Sequence, residues 1–178
     1  RDRNRLEGQV SKSLRSKKSI ILVVMTQSEA LEVLKTGANV FLTGEPGAGK
    51  THTLNMYITY LREHSIDVAV TASTGIAATH IGGMTIHAWS GIGIKDSLSP
   101  YDLEQITTRE RVAKRIAQTK VLVIDEISML DARVFGMVNQ VLQVVRRNRE
   151  PFGGVQVVLV GDFFQLPPIG HKGEEVKF

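Results

Sequence analysis

Gly44-Glu45-Pro46-Gly47-Ala48-Gly49-Lys50-Thr51 satisfies the pattern G-x-x-x-x-G-K-[ST] at every fixed position. A short apolar stretch at residues 39–43, read as a buried strand, precedes it. Residues 50–64 follow, where Leu54, Tyr57, Ile58 and Leu61 recur at helical spacing. Strand, glycine-rich turn and helix are the context in which this pattern carries meaning. The glycines let backbone N–H groups wrap a phosphate with no Cβ in the way, and the helix that begins there adds the positive end of its dipole. Lys50 supplies a mobile charge for the β- and γ-phosphates, and the Thr51 hydroxyl is the expected Mg²⁺ ligand. Gly44, Pro46, Gly47, Ala48, Gly49, Lys50, Thr51 and His52 are therefore the expected nucleotide-binding residues. The stretch implies binding of a nucleoside triphosphate and leaves open what its energy is used for.

The second fixed point lies about 75 residues further on, at Val121-Leu122-Val123-Ile124-Asp125-Glu126. Residues 120–124 read as a strongly apolar strand, and two carboxylates close it. A parallel strand delivers its C-terminal end to the edge that carries the phosphate loop. Asp125 is then the expected Mg²⁺ partner, usually through water, and Glu126 the expected base that takes a proton from attacking water. Alone, the pair reads equally well as negative charge at the start of a helix. With the phosphate loop upstream, the ATPase reading is preferred. A second carboxylate also favours hydrolysis over phosphoryl transfer to a small molecule.

Around these two points the chain alternates. Thr26-Gln27-Ser28-Glu29 is a capping box; Ala30, Leu31, Val33 and Leu34 follow as an apolar face, and Gly37 ends that helix. Residues 68–71 read as a strand, 75–81 and 85–89 as short helices broken at Gly82-Gly83, and 91–100 as a loop. Residues 102–118 read as one helix, 131–147 as a long helix and 155–160 as a fourth strand. Strands that are apolar on both faces and alternate with helices predict an α/β protein whose parallel sheet is flanked by helices on both faces.

Composition narrows the classes. The 178 residues include no cysteine, which removes disulfide scaffolds, zinc fingers and thiol nucleophiles. The formal net charge is +4, but residues 1–20 hold seven basic and two acidic side chains, a net +5, which leaves −1 for the rest. The basicity belongs to residues 1–24, read as a flexible basic arm, and is no evidence for a basic DNA-binding body. The apolar run at residues 20–25 is far short of the roughly 20 residues that span a bilayer, so no membrane partner is expected. His80 and His87 lack a cysteine or carboxylate cluster that would complete a metal site.

Three stretches together are more specific than a generic ATPase. They are Thr71-Ala72-Ser73-Thr74-Gly75-Ile76-Ala77-Ala78 with Ile81-Gly82-Gly83-Met84-Thr85-Ile86-His87, then Val123-Ile124-Asp125-Glu126-Ile127-Ser128-Met129, then Gly161-Asp162-Phe163-Phe164-Gln165-Leu166-Pro167-Pro168. Their order and context resemble the Pif-type (petite integration frequency) DNA helicases of superfamily one, related to the RecD-type helicases. The resemblance covers about residues 26–169. It implies a RecA-like P-loop NTPase fold for residues 25–178, with ATP and Mg²⁺ as cofactors and single-stranded DNA as partner. It also implies a second RecA-like domain as partner, and a monomer.

Gln27 matches the glutamine that reads adenine in this family, for which an amide that both donates and accepts is suited; it reads also as a polar first-turn residue. Gln165 matches the glutamine that senses the γ-phosphate, and reads also as a loop residue before Pro167-Pro168. Lys50, Glu126 and Gln165 are thus the expected catalytic residues, with Asp162 ordering the last loop. Residues 71–87 match the DNA-contacting segments. Ser73, Thr74, Gly75 and nearby N–H groups are placed at DNA phosphates, and His87 and Trp89 at bases or sugars; Trp89, the sole tryptophan, reads equally as core.

The family's later motifs, including the arginine that completes the ATP site, have no counterpart here. Arg146, Arg147 and Arg149 read as a solvated helix end, so the chain is expected to be the first motor domain only. The resemblance implies a 5′-to-3′ DNA helicase in replication, repair, recombination and telomere or genome maintenance. It would lie inside the cell, in the cytoplasm of a prokaryote or the nucleus or mitochondrion of a eukaryote. The rival readings are another P-loop ATPase and a truncated nucleotide-binding module without unwinding activity.

Overall fold

The computed structural model describes residues 25–162. Its sheet has five strands: β1 (Val40–Leu42), β2 (Val68–Ala72), β3 (Met84–Thr85), β4 (Val121–Asp125) and β5 (Gln156–Val160). They are ordered β1-β5-β4-β2-β3 and every neighbouring pair is parallel. All C-terminal strand ends therefore share one edge. Register keeps them level: Leu42 faces Val160, Ala72 faces Asp125, and Ile124 faces Leu159.

The apolar run of β4 divides with the two-residue period of a strand. Val121 and Val123 join Leu34, Leu54, Tyr57, Ile58 and Leu61, which come from α1 (Gln27–Lys35) and α2 (Lys50–Glu63). Leu122 and Ile124 join a cluster on the other face. That cluster draws on α4 (Ile86–Ser90), α5 (Pro100–Thr108), α6 (Glu110–Gln118) and α7 (Ala132–Arg146). The short α3 (Gly75–His80) links β2 to β3. A doubly covered parallel sheet is thus the architecture, as the strand pattern predicts. No described helix is long and apolar enough to cross a membrane.

The capping box at Thr26 forms as expected: Thr26 Oγ1 accepts from the Glu29 N–H at 3.3 Å, and the Thr26 N–H donates to Glu29 Oε2 at 2.8 Å. Elsewhere the structure departs from the expectation. Residues 102–118 are two helices, not one. A second capping box, Ser99 with Asp102, starts α5 earlier, with Pro100 in its first turn, and the chain turns extended at Arg109 (φ −73°, ψ 97°). The two-residue β3 is too short for periodicity to reveal. Gly83 passes so near β2 that a Cβ there would run into the Val70 carbonyl, so the Gly82-Gly83 break is what admits a fifth strand.

Arg146 also departs from the solvated helix end. Its Nε donates to Gly153 O at 2.8 Å. Its Nη1 donates to Ala117 O and Thr119 O at 2.9 Å and to Ile116 O at 3.2 Å. These include carbonyls that the end of α6 leaves unpaired; Arg147 and Arg149 are exposed. Arg146→Ala is predicted to lower the free energy of unfolding by about 2 kcal/mol or more, because the bonds are charge-assisted. Arg149→Ala is predicted to stay within about 0.5 kcal/mol. Urea unfolding measures both, and equal effects would contradict the clamp.

Candidate nucleotide-binding site

The glycine-rich loop leaves β1 and enters α2 at its N-cap, Gly49, whose φ of +87° lies in the left-handed region; Gly47 has φ +83°. A side chain at either position would be strained. Lys50 Nζ folds back over the loop, donating to Gly44 O at 2.6 Å and Glu45 O at 3.1 Å. Thr51 and His52 are exposed on the first turn of α2. His52 also lines an open groove of about 370 Å³ between α1 and α2, with Leu31, Met56 and Tyr60. Gln27, from the start of α1, reaches the same loop. Its Nε2 donates to Ala48 O at 3.4 Å, and a Cβ on Gly49 would collide with that amide. The capping box fixes where α1 begins, and so delivers Gln27 to the loop.

At the same edge, β4 ends in the acidic pair. Glu126 is left-handed (φ 53°, ψ 43°), which carries the chain off the strand into the 3₁₀ turn Ile127–Met129. A non-glycine residue holds that conformation only when its surroundings determine it. Here they do. The Glu126 N–H donates to Asp125 Oδ1 at 2.9 Å. Glu126 O accepts from Ser73 Oγ at 2.8 Å and from the Met129 N–H at 3.0 Å. The Ser73 N–H donates to Asp125 O at 3.1 Å. On the β5 side, a Cβ on Gly161 would lie 2.8 Å from Ile127 Cγ2, so only glycine fits there without displacing the turn.

The electrostatics tie these elements together. Burial pushes the Asp125 carboxyl above its ordinary value, against the Glu126 N–H and the charge of Lys50. Burial and then Asp125 push Glu126 up; Lys50 opposes them, and the buried Asp162 adds to them. Lys50, Asp125 and Asp162 therefore all act on Glu126 across the strand ends, and Lys50 acts on Asp125 as well. A carboxyl held above its usual range is a stronger base than a solvated one. Gln165 lies outside the described residues.

The expected DNA-contacting segment divides. Thr71 Oγ1 is buried and donates to Val123 O at 2.6 Å, so it ties β2 to β4. Ser73 gives its hydroxyl proton to Glu126 O. Thr74 Oγ1 accepts from the Ala77 N–H and caps α3. Gly75 is exposed, and beside it Ile76 is 76% exposed. His87 is half-buried, and burial lowers its pKa, which favours a neutral ring. The Trp89 expectation is corrected: at 4% exposure it belongs to the core with Ile86 and Ile92. Ile86 and Trp89 lie three residues apart, on one face of α4, a spacing already visible in the sequence. Ser73 as a clamp on the acidic turn had no sequence signal.

A parallel sheet with a glycine loop after β1, an acidic pair at the end of β4 and helices on both faces is a RecA-like P-loop nucleotide-binding domain. The sequence model of the PIF1-like helicase family matches residues 15–178, and the chain belongs to that family. The ATP-dependent DNA helicase Pif1 of Psychrobacter sp. (strain PRwf-1) is 60% identical over 150 residues, which are 84% of this chain and 23% of that protein. The crystal structure of Pif1 helicase from Candida albicans matches with a TM-score of 0.78 at 40% identity, covering 84% of this chain and 34% of that one. Pif1 helicase from Bacteroides, in complex with ADP-AlF3 and ssDNA, matches with a TM-score of 0.73 at 34% identity, over 85% of this chain and 35% of that one. The chain thus spans about a quarter of the length of the curated relative it matches.

Trp89→Ala is predicted to cost about 3–5 kcal/mol of stability, as removal of a large buried aromatic does. Thermal and urea unfolding check this; a loss of DNA affinity at unchanged stability would contradict the core assignment.

Proposed function

We propose that this chain is the first motor domain of an ATP-dependent DNA helicase, which hydrolyses ATP against a second RecA-like domain and steps along single-stranded DNA. The observation that carries the reading is the shared edge of Lys50, Asp125 and Glu126, where one lysine charge acts on both carboxyls. Relatives named as ATP-dependent DNA helicases, and a Bacteroides relative in complex with ADP-AlF3 and ssDNA, support it. The 5′-to-3′ polarity and the roles in genome maintenance rest on the resemblance to the family.

In this reading the loop N–H groups, continuing through Thr51 and His52, hold the phosphates. Lys50 exchanges Gly44 O and Glu45 O for β- and γ-phosphate oxygens. Gln27, already docked on the loop, presents its amide to the adenine edge. Glu126 accepts the proton of the attacking water, and Gln165 keeps the γ-phosphate-sensing role that the resemblance to the family gives it. Thr51 and Asp125 suit Mg²⁺, a hard cation that takes one or two protein oxygens and keeps water and phosphate as its other ligands. No cluster of three or more His, Cys, Asp or Glu able to hold a metal occurs among the described residues, so an all-protein cage is not what they build. When bound, the cation supplies neutralisation of phosphate charge. Thr74, Gly75 and His87 are the proposed DNA contacts, and the second domain supplies the arginine that completes the site.

Lys50→Ala is predicted to weaken MgATP binding to this chain by about 100-fold or more, close to 2.8 kcal/mol, read with a fluorescent ATP analogue. Unchanged affinity would contradict the phosphate-loop assignment. In a chain carrying both motor domains, Glu126→Gln is predicted to bind MgATP as before and to lose about 100-fold or more in turnover. Full turnover would remove Glu126 as the base. ATP hydrolysis by that two-domain chain is predicted to rise with single-stranded DNA; indifference to it would favour a different P-loop ATPase.

A further inference from the structure

The structure assigns Ser73 a role beyond DNA contact. We propose that it is the positioning residue for Glu126, and that it couples the DNA-facing segment to the carboxylate that handles the attacking water. The inference rests on the functional reading above and deepens it.

The geometry is specific. Ser73 is the first residue past β2, whose last pair sets Ala72 opposite Asp125. Its backbone continues the ladder, with the N–H on Asp125 O, while its hydroxyl crosses to Glu126 O at 2.8 Å. Glu126 is left-handed, and two donors hold its carbonyl: the Met129 N–H from the same turn and the Ser73 hydroxyl from another strand. Among the described hydrogen bonds, the Ser73 hydroxyl is the one that ties this carbonyl to a different element. A serine hydroxyl has a single proton, so in this arrangement Ser73 has none to give to a DNA phosphate. The next residues, Thr74 and Gly75, open α3 and head the proposed DNA-contacting segment.

The consequence follows from chain continuity. A strand of DNA drawn against residues 74–76 pulls on the residue that fixes the Glu126 peptide. Ser73 Oγ then tightens or releases its hold on Glu126 O, and the carboxylate changes its aim at the water. In this proposal Ser73 acts through Glu126, to whose carbonyl its hydroxyl is bonded, and not on the nucleotide or the water itself. An error of about 1 Å in aim can cost on the order of 100-fold in rate. Ser73 is half-buried rather than enclosed, and Met129 keeps its bond to Glu126 O, so loss of the hydroxyl leaves the turn in place.

The test uses a chain carrying both motor domains, with ATP, Mg²⁺ and an unstructured oligothymidine. For Ser73→Ala, turnover at saturating oligothymidine is expected to fall about 10-fold or more, with KM for ATP and affinity for oligothymidine within about threefold of the parent. Ser73→Thr, which keeps the hydroxyl, restores turnover. Adding Ser73→Ala to Glu126→Gln produces no further loss, because the two act as one unit. Normal turnover by Ser73→Ala overturns the proposal. If weaker oligothymidine affinity accompanies it, Ser73 returns to the role of phosphate contact. Failure of Ser73→Thr to restore turnover also overturns it. Should Ser73→Ala fail to fold, Ser73→Cys, a weak donor of similar shape, takes its place, and full turnover by that variant overturns the proposal. An inactive Glu126→Gln beside a normal Ser73→Ala sinks only this inference, whereas an active Glu126→Gln sinks the functional reading beneath it.

Discussion

Level register across a parallel sheet is the constraint on which this domain depends. Because β1, β5, β4 and β2 all run in one direction, the residues after each of them emerge at one edge. That edge receives the glycine loop from β1, the acidic pair from β4, Ser73 from β2 and Asp162 from β5. In an antiparallel arrangement half of these groups would lie at the far end of the sheet. The apolar cores on both faces matter to function mainly because they hold this register. Val121 and Val123 lock β4 against α1 and α2, and Leu122 and Ile124 lock it against the helices opposite.

The edge is also where the structure gathers opposing charge. Burial raises Asp125, and burial and then the charge of Asp125 raise Glu126, while Lys50 opposes both shifts. Lys50 at the same time donates to two loop carbonyls, groups that a phosphate would replace as partners. A cluster that is electrostatically crowded and built around one mobile cation is well adapted to a ligand that brings several negative oxygens and a metal of its own. The left-handed Glu126 fits this picture: local strain is concentrated at the residue proposed as the base, and neighbouring strands maintain it.

Much of this was legible in the residues. The phosphate loop and the acidic pair are readable because their chemistry fixes both residue type and spacing. The Thr26 capping box is readable because two hydrogen bonds specify residues three apart. The doubly apolar run of β4 signals a sheet covered on both faces. What stayed hidden depends on contacts between segments distant in sequence. β3 exists because Gly83 approaches Val70, and nothing in a two-residue stretch reports that. The early start of α5 at its Ser99 cap and the break at Arg109, where the chain turns extended, interrupt a stretch whose apolar spacing reads as one helix. Arg146 looks like its solvated neighbours until α6 brings three carbonyls to it. Ser73 stands in a segment whose resemblance points to DNA, and its bond to Glu126 appears only once β2 and β4 are paired.

The candidate nucleotide site and the proposed DNA-contacting segment are thus not separate modules laid side by side. They meet in the peptide of Glu126, within one residue of the β2–β4 ladder. The most direct measurement of the central claim is a crystal structure of this chain with Mg²⁺ and a non-hydrolysable ATP analogue. Lys50 Nζ should have left Gly44 O and Glu45 O for phosphate oxygens, with Thr51 and Asp125 on the metal side and Gln27 at the adenine. A nucleotide seated elsewhere, with Lys50 still bound to its own loop, would contradict the account.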